Sequence, residues 1–168
     1  LIFWSATGDS YREILSWLMG SLSGSIWSDA TLVYLALSAC LPIILANGRA
    51  LDAFAFGDTA AASLGIDVPR LRWTLLGATA LLTGIMVAIG GAIGFVGLVV
   101  PHAVRLAVGS AHRKLLPHVM LAGAIFMLWT DTAARTLFDP RELPVGIITA
   151  LIGAPVFLAV LLRYRRIT

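Results

Sequence analysis

Few side chains in this sequence could do chemistry, and their spacing narrows what that chemistry can be. Asp131 and Arg135 stand four residues apart in an otherwise apolar stretch, which puts both on one face of a helix and lets them pair. Charge inside such a stretch is costly. It belongs either to a structural pair reaching for water near the end of a span or to a transport pathway or docking point. The histidines do not make a metal set: His102 follows Pro101 in an apolar run, His112 sits in a basic loop, and His118 follows Pro117 at a helix start. Metal pairs on a helix need closer spacing, with cysteine or carboxylate company. No metal site and no cofactor is therefore expected in this chain, and His102 is read as a hydrogen-bonding residue at a break between helices. An intramembrane enzyme would need a convergent acid, base or nucleophile, for which Asp131 and His102 are the only candidates, so no catalytic residue is assigned. A phosphate-cradling loop ends in Lys-Ser or Lys-Thr, whereas the only lysine, Lys114, precedes Leu115. If ATP drives anything here, another chain binds it.

The elements that must hold these residues belong in lipid. Of 168 residues, 59% are hydrophobic and 12% charged, with a mean hydropathy of +0.92. A soluble domain carries about 25% charged residues to cover its surface. The expected fold class is an all-α membrane protein, a bundle of transmembrane helices. Four stretches reach the roughly 20 apolar residues needed to cross a bilayer: 26–47, 73–92, 115–138 and 143–162. The uncharged run from Trp73 through Val104 is too long for one span. Gly91, Gly94, Gly97 and Pro101 interrupt it, which predicts a turn near 91–97 and a short helix over 98–109. Such a helix reaches only about 18 Å, and broken backbone at membrane depth is tolerated only against protein or a water-filled cavity. Gly91, Gly94, Gly97, Pro101 and His102 are therefore candidate pathway or helix-break residues.

The net charge of +3 reports topology rather than nucleic-acid binding. If the short helix returns the chain to its starting side, Arg49, Arg70, Arg72, Arg105, Arg113, Lys114, Arg163, Arg165 and Arg166 share one face. The positive-inside rule makes that face cytoplasmic, with loop 48–72 and the C-terminal tail on it and 139–142 outside. Residues 9–24, with Tyr11 and Trp17, fit an outer interfacial helix or a plain loop. Residues 1–8 read as the end of a preceding transmembrane helix rather than a signal peptide, and the chain as a fragment. Cys40, alone in an apolar run, reads as a buried small hydrophobe. Loop 48–72 is too long for a tight connection and too polar for lipid. Within it Ala60 to Leu64 forms a short helical piece between Gly57 and Gly65, preceded by Asp58. That is either a compact helix that receives a partner or a solvated linker.

Four runs resemble the FecCD-type permease family of ABC importers, which take up ferric siderophores, haem and cobalamin. They are Gly91-Ala-Ile-Gly-Phe-Val-Gly-Leu-Val-Val-Pro-His-Ala-Val-Arg105, Gly109-Ser-Ala-His-Arg113, Asp131-Thr-Ala-Ala-Arg135 and Glu142-Leu-Pro-Val-Gly-Ile-Ile-Thr-Ala-Leu-Ile-Gly-Ala-Pro-Val-Phe157. The loop Phe56-Gly-Asp-Thr-Ala-Ala-Ala-Ser-Leu-Gly65 and Trp17-Leu-Met-Gly-Ser-Leu22 are similar to family patterns too. The resemblance runs through nearly the whole chain. It implies the bundle of a type II ABC importer permease, of which this chain would be the C-terminal half, in a bacterial cytoplasmic membrane. It also implies a second permease subunit, an ATP-binding subunit on the cytoplasmic face, and a periplasmic or lipoprotein substrate-binding protein outside. Carried over by position, Gly57, Asp58, Ala61, Leu64 and Gly65 fall in the coupling helices that meet the ATPase, with Asp58 where glutamate is common and Ala62 where a basic residue is common. Arg135 matches an outer arginine that meets the binding protein, with Arg141 as a neighbour. The implied cargo is an iron chelate, a ferric siderophore first, with haem or cobalamin as the alternative. An ion-coupled secondary transporter is the competing transport reading.

Overall fold

The computed structural model describes residues 8–137 and 143–165. Expectations for 1–7, for 138–142 with Arg141, and for 166–168 lie outside the described residues. Eight helices follow one another among those described: α1 (Gly8–Leu18), α2 (Trp27–Ala46), α3 (Gly48–Phe54), α4 (Asp58–Ser63), α5 (Val68–Gly90), α6 (Val96–Val108), α7 (His112–Thr136) and α8 (Val145–Arg165). Three of them, α2, α5 and α7, are long and apolar enough to cross a membrane. α8 has 21 residues and is apolar over Val145–Ala159.

The surface is that of a molecule dissolved in lipid. The accessible area is 12044 Å² for 17.8 kDa, against about 8,000 Å² for a water-soluble monomer of that mass. Large apolar side chains such as Tyr34, Trp73, Leu81, Leu121 and Leu151 point outward. The buried set is instead mostly small or β-branched, with Ala36, Cys40, Ala53, Ala61, Ala78, Ala134 and Val145. Small residues let membrane helices approach closely where lipid removes the hydrophobic drive to associate. α2 packs along α5, while α6, α7 and α8 form a second group, joined to the first by α3 lying against α7.

Helix limits follow local chemistry. Asp29 reaches back to the backbone N–H of Ile26 at 3.0 Å and fixes the start of α2. α5 begins at Val68, before the expected 73, because Asp67 caps it by accepting from the Arg70 N–H at 3.1 Å and Pro69 sits in its first turn. α7 begins at His112 rather than 115. α1 ends at Leu18, so a helix over 9–24 is corrected to one that stops where Gly20 turns the chain at φ +76°.

The break after α5 is narrower than expected and lies at 91–95. Gly91 has φ 71°, and Phe95 adopts a left-handed φ of 66° at the start of α6. Gly97, Pro101 and His102 are all inside α6, so of the expected turn at 91–97 it is Val96 and Gly97 that join the short helix, where the expected 98–109 already holds Pro101 and His102. The hydrogen bond that Pro101 removes would have gone to the Gly97 carbonyl, one turn earlier, and the helix tolerates its loss. The α6 helix has 13 residues, about 20 Å. It still carries the chain back to the end where α5 began, since His112 at the start of α7 touches α3.

At the opposite end a backbone knot closes around the break. Ser21 N–H donates to the Gly90 carbonyl at 2.9 Å and Gly146 N–H to the Gly20 carbonyl at 3.2 Å. The Trp17 indole donates to the Ala88 carbonyl at 3.2 Å. A Cβ at Gly91 would run into the Trp17 carbonyl oxygen, and one at Gly146 into that of Met19. Gly91→Ala is therefore expected to lower the stability of the detergent-purified protein by about 3 kcal/mol, combining a left-handed backbone penalty with overpacking. Gly94→Ala, whose Cβ would meet open space, should change it by less than about 0.5 kcal/mol. Thermal unfolding of the two variants side by side checks this, and equal shifts would show that the knot is not crowded.

Candidate functional site

The polar link between α2 and α5 folds into a two-helix platform. Asn47 closes α2 by donating its side-chain amide to the Ile43 carbonyl at 2.8 Å, and α3 starts at once. The residue pattern marks one short helical piece here, and the family resemblance implies more than one coupling helix; α3 is the piece that the pattern leaves unmarked. Glycines with positive φ bound α4 on both sides, Gly57 at +100° and Gly65 at +80°, conformations that other residues adopt only under strain. Asp58 opens α4, where the helix dipole favours a carboxylate.

One residue of α4 faces inward. Ala61 is 0% exposed and packs with Ala53 and Val68, flanked by Phe54 and Ile66. Its placement among partner-contacting residues is corrected: Ala61 fastens α4 to α3 and α5. Asp58 is tied from within as well, since the Arg72 guanidinium donates to both of its oxygens at 3.1 and 2.9 Å. The same guanidinium lies 5.6 Å from the centre of the Phe54 ring, a cation–π distance. The platform exposes two large apolar side chains beside polar ones such as Arg49, Thr59 and Ser63. Phe56 is 82% exposed and Leu64 71%, with Gly57, Ala62 and Gly65 exposed between them. Phe56 was missed as a site residue, although an aromatic beside a glycine in an otherwise polar loop was a usable signal.

His112 is not in a loop. It is the first residue of α7, and both its backbone N–H and its Nδ1 lie 2.7 Å from one Asp52 oxygen on α3. An ionised carboxylate only accepts, so Nδ1 carries the proton in this arrangement. The approach is close along the backbone too, because a Cβ at Gly48 would sit 3.4 Å from the Arg113 N and Cα. His118 lies within α7, not at its start, with Nδ1 at 2.7 Å from the Lys114 carbonyl. No group of three metal-ligating side chains exists among the described residues. The buried hydroxyls of Thr130 and Thr149 bond carbonyls of their own helices, so neither is poised as a nucleophile.

At the far end of α7 the Arg135 Nε donates to an Asp131 oxygen at 2.9 Å. The arginine is the more exposed of the two, and the Leu143 N–H donates to the Ala134 carbonyl at 3.2 Å, tying the next segment beside it.

Helices of membrane length, a broken return helix and a two-helix polar platform find their match among known proteins. A model of the FecCD transport family matches residues 1–163. The chain belongs to the FecCD transport family. It is 47% identical over 154 residues to the vitamin B12 import system permease protein BtuC of Vibrio vulnificus, covering 92% of this chain and 46% of that protein. It is 46% identical to the Fe(3+) dicitrate transport system permease protein FecD of Escherichia coli K12, over 92% of this chain and 48% of that one. With the hemin transport system permease protein HmuU of Yersinia pestis the identity is 44%, over 92% and 46%. A solved inward-facing structure of a metal-chelate type ABC transporter superposes with a TM-score of 0.88 at 38% identity, covering 96% of this chain and 52% of that one. This FecCD-family chain thus spans about half the length of the relatives it matches, and its all-α membrane bundle is that of the ABC transporter.

Two expectations follow for this FecCD-family platform. Ala61→Leu should cost about 1–3 kcal/mol by overpacking the α3–α4 junction, whereas Arg72→Ala, which breaks an exposed pair, should cost under about 1 kcal/mol. Thermal unfolding distinguishes them. The Asp52 carboxyl is held below the ordinary 3.8, first by the His112 backbone hydrogen bond and then by its side chain, against a smaller opposing push from burial. A depressed carboxyl contributes stability that is present above its ordinary value and is lost as pH falls through the depressed one. An acid titration of unfolding temperature should therefore show a loss below pH 3.8 in the wild type that is absent in Asp52→Asn.

Proposed function

We propose that this chain is part of the transmembrane permease subunit of an ATP-binding-cassette importer in a bacterial cytoplasmic membrane. The observation that carries the reading is the platform: a compact pair of helices at the basic end of the bundle, offering Phe56 and Leu64 to something other than lipid. By charge distribution that end faces the cytoplasm. An exposed aromatic and an aliphatic side chain on a stiff, internally tied support suit insertion into a groove of a partner, where such anchors supply most of the binding energy. The partner is an ATPase subunit, because the chain itself has no nucleotide loop. A second permease subunit would complete the pathway, and ATP binding and hydrolysis would rock the halves between outward and inward openings.

The cargo is a bulky metal chelate or corrinoid. Relatives named for vitamin B12, hemin and ferric dicitrate are about equally similar, so the reading commits to that class and takes a ferric siderophore as the first cargo to test. Outside, Arg135 and its neighbour Arg141 are the docking point for an acidic patch on a substrate-binding protein.

In the full-length permease Phe56→Asp is expected to weaken association with the ATPase subunit about 30-fold or more, as for loss of an interface anchor. Asp58→Lys should leave ATP hydrolysis running while uptake into proteoliposomes falls. Arg135→Glu should slow binding-protein association about tenfold, chiefly through the on-rate, with the ATPase still assembled. Coupled uptake at wild-type rates in the Phe56 and Asp58 variants would refute the platform's role, and uptake without any ATPase would refute the importer class.

A further inference from the structure

The platform is joined to the rest of the bundle on two sides. Toward α5 it combines apolar packing of Ala53 and Ala61 against Val68 with the exposed Arg72–Asp58 pair. Toward α7 it is polar: a single Asp52 oxygen takes both the backbone N–H and the Nδ1 of His112 at 2.7 Å each. The pair is half-buried, with His112 24% and Asp52 35% exposed, and the α3 backbone at Gly48 lies close to that of Arg113. From that point α7 runs without interruption for 25 residues to Thr136, about 36 Å, and its last turn holds Arg135, one turn after Asp131. One helix therefore has the platform's polar contact at its first residue and the outer charge pair at its far end.

We propose that Asp52 and His112 are positioning residues that pass movement between the platform and the outer face through α7. The proposal rests on the importer reading above. Three features support it. A carboxylate shared between a helix's first N–H and a side chain of the same residue fixes α3 against α7 in orientation as well as distance. The contact is made at the helix terminus, where the orphan N–H groups need an external acceptor, so a shift of α3 takes the end of α7 with it. Moreover, neither residue belongs to the outward surface formed by Phe56 and Leu64. Both are half-buried, whereas Phe56 and Leu64 are exposed. His118, further along α7, instead approaches the Lys114 carbonyl of its own helix at 2.7 Å.

The test uses the full-length permease assembled with its ATPase and substrate-binding protein in proteoliposomes. His112→Leu removes the side-chain donor; His112→Asn places an amide nitrogen where Nδ1 stands. Basal ATP hydrolysis in His112→Leu should stay within about twofold of wild type while stimulation by the loaded binding protein falls about fivefold or more, the scale of a lost coupling between sites. His112→Asn should recover most of the stimulation. Combining His112→Leu with Asp52→Asn should reduce stimulation no further than His112→Leu alone, since both act on one link. Full stimulation in His112→Leu would overturn the proposal. Equal loss of basal and stimulated rates with dissociation of the ATPase would overturn it too, by showing that the pair only holds the platform in shape. A wild-type complex that the binding protein fails to stimulate would instead refute the importer reading, a failure that appears before any substitution is made.

Discussion

Backbone amides and carbonyls inside hydrocarbon have to be satisfied by the protein itself, and this chain meets that constraint most severely at residues 91–95. There the ladder of α5 ends and that of α6 has not begun. The Gly90 carbonyl is taken by Ser21, the Gly91 N–H returns to Val87, and short bonds join Ile93 to Gly91 and Val96 to Gly94. The outside partner comes from the turn after α1, and that turn is in its own right held by the first turn of α8, whose Gly146 N–H donates to the Gly20 carbonyl, so three distant stretches must arrive at one place. They can do so only where side chains are absent. Gly91 faces the Trp17 carbonyl, Gly146 the Met19 carbonyl, and Gly153 the Phe95 side chain. Phe95 itself carries a left-handed backbone worth about 1–2 kcal/mol of strain, held by that ring seat on α8.

The position of the platform follows from this knot. With the chain turned at 91–95, the 13 residues of α6 return it to the starting end. His112 then emerges beside α3 and Asp52 meets the start of α7. A full-length return helix would have delivered α7 farther out, away from the platform. The break at one end of the bundle and the polar contact at the other are thus a single topological decision, and the outer pair at Asp131 and Arg135 lies on the helix that the decision places.

The spans were readable because unbroken apolarity is a strong signal: α2 occupies Trp27–Ala46 where 26–47 was expected. Starts within water were harder. Arg70 and Arg72 look like loop residues, yet they lie on the first turns of α5, whose true beginning was written in the Asp67-Val-Pro69 cap. Pro101 was read as a breaker because the pattern does not reveal that its missing bond falls on Gly97. Ala61 is placed in the coupling contact by family position alone, and its three-alanine run has no hydrophobic period to show that it faces inward. Asp52 and His112 are separated by sixty positions, and no local spacing can report such a pair. A family resemblance locates the residues of such a contact but not the direction each one faces.

Those directions change the electrostatic picture of the platform. An acidic residue at position 58 suggests a charge offered to a partner, and a shorter aspartate in place of glutamate suggests a weaker offer. The geometry removes the question, because Asp58 is engaged by Arg72 of its own chain, Asp67 by the Arg70 N–H and Asp52 by His112. Each of these carboxylates has a partner within its own chain, although Asp58 stays largely exposed. An exposed ion pair of this kind contributes little stability, but several of them fixing short helices reduce the conformational freedom that docking would otherwise have to remove. Charge here helps to set shape, while Phe56 and Leu64 stay exposed.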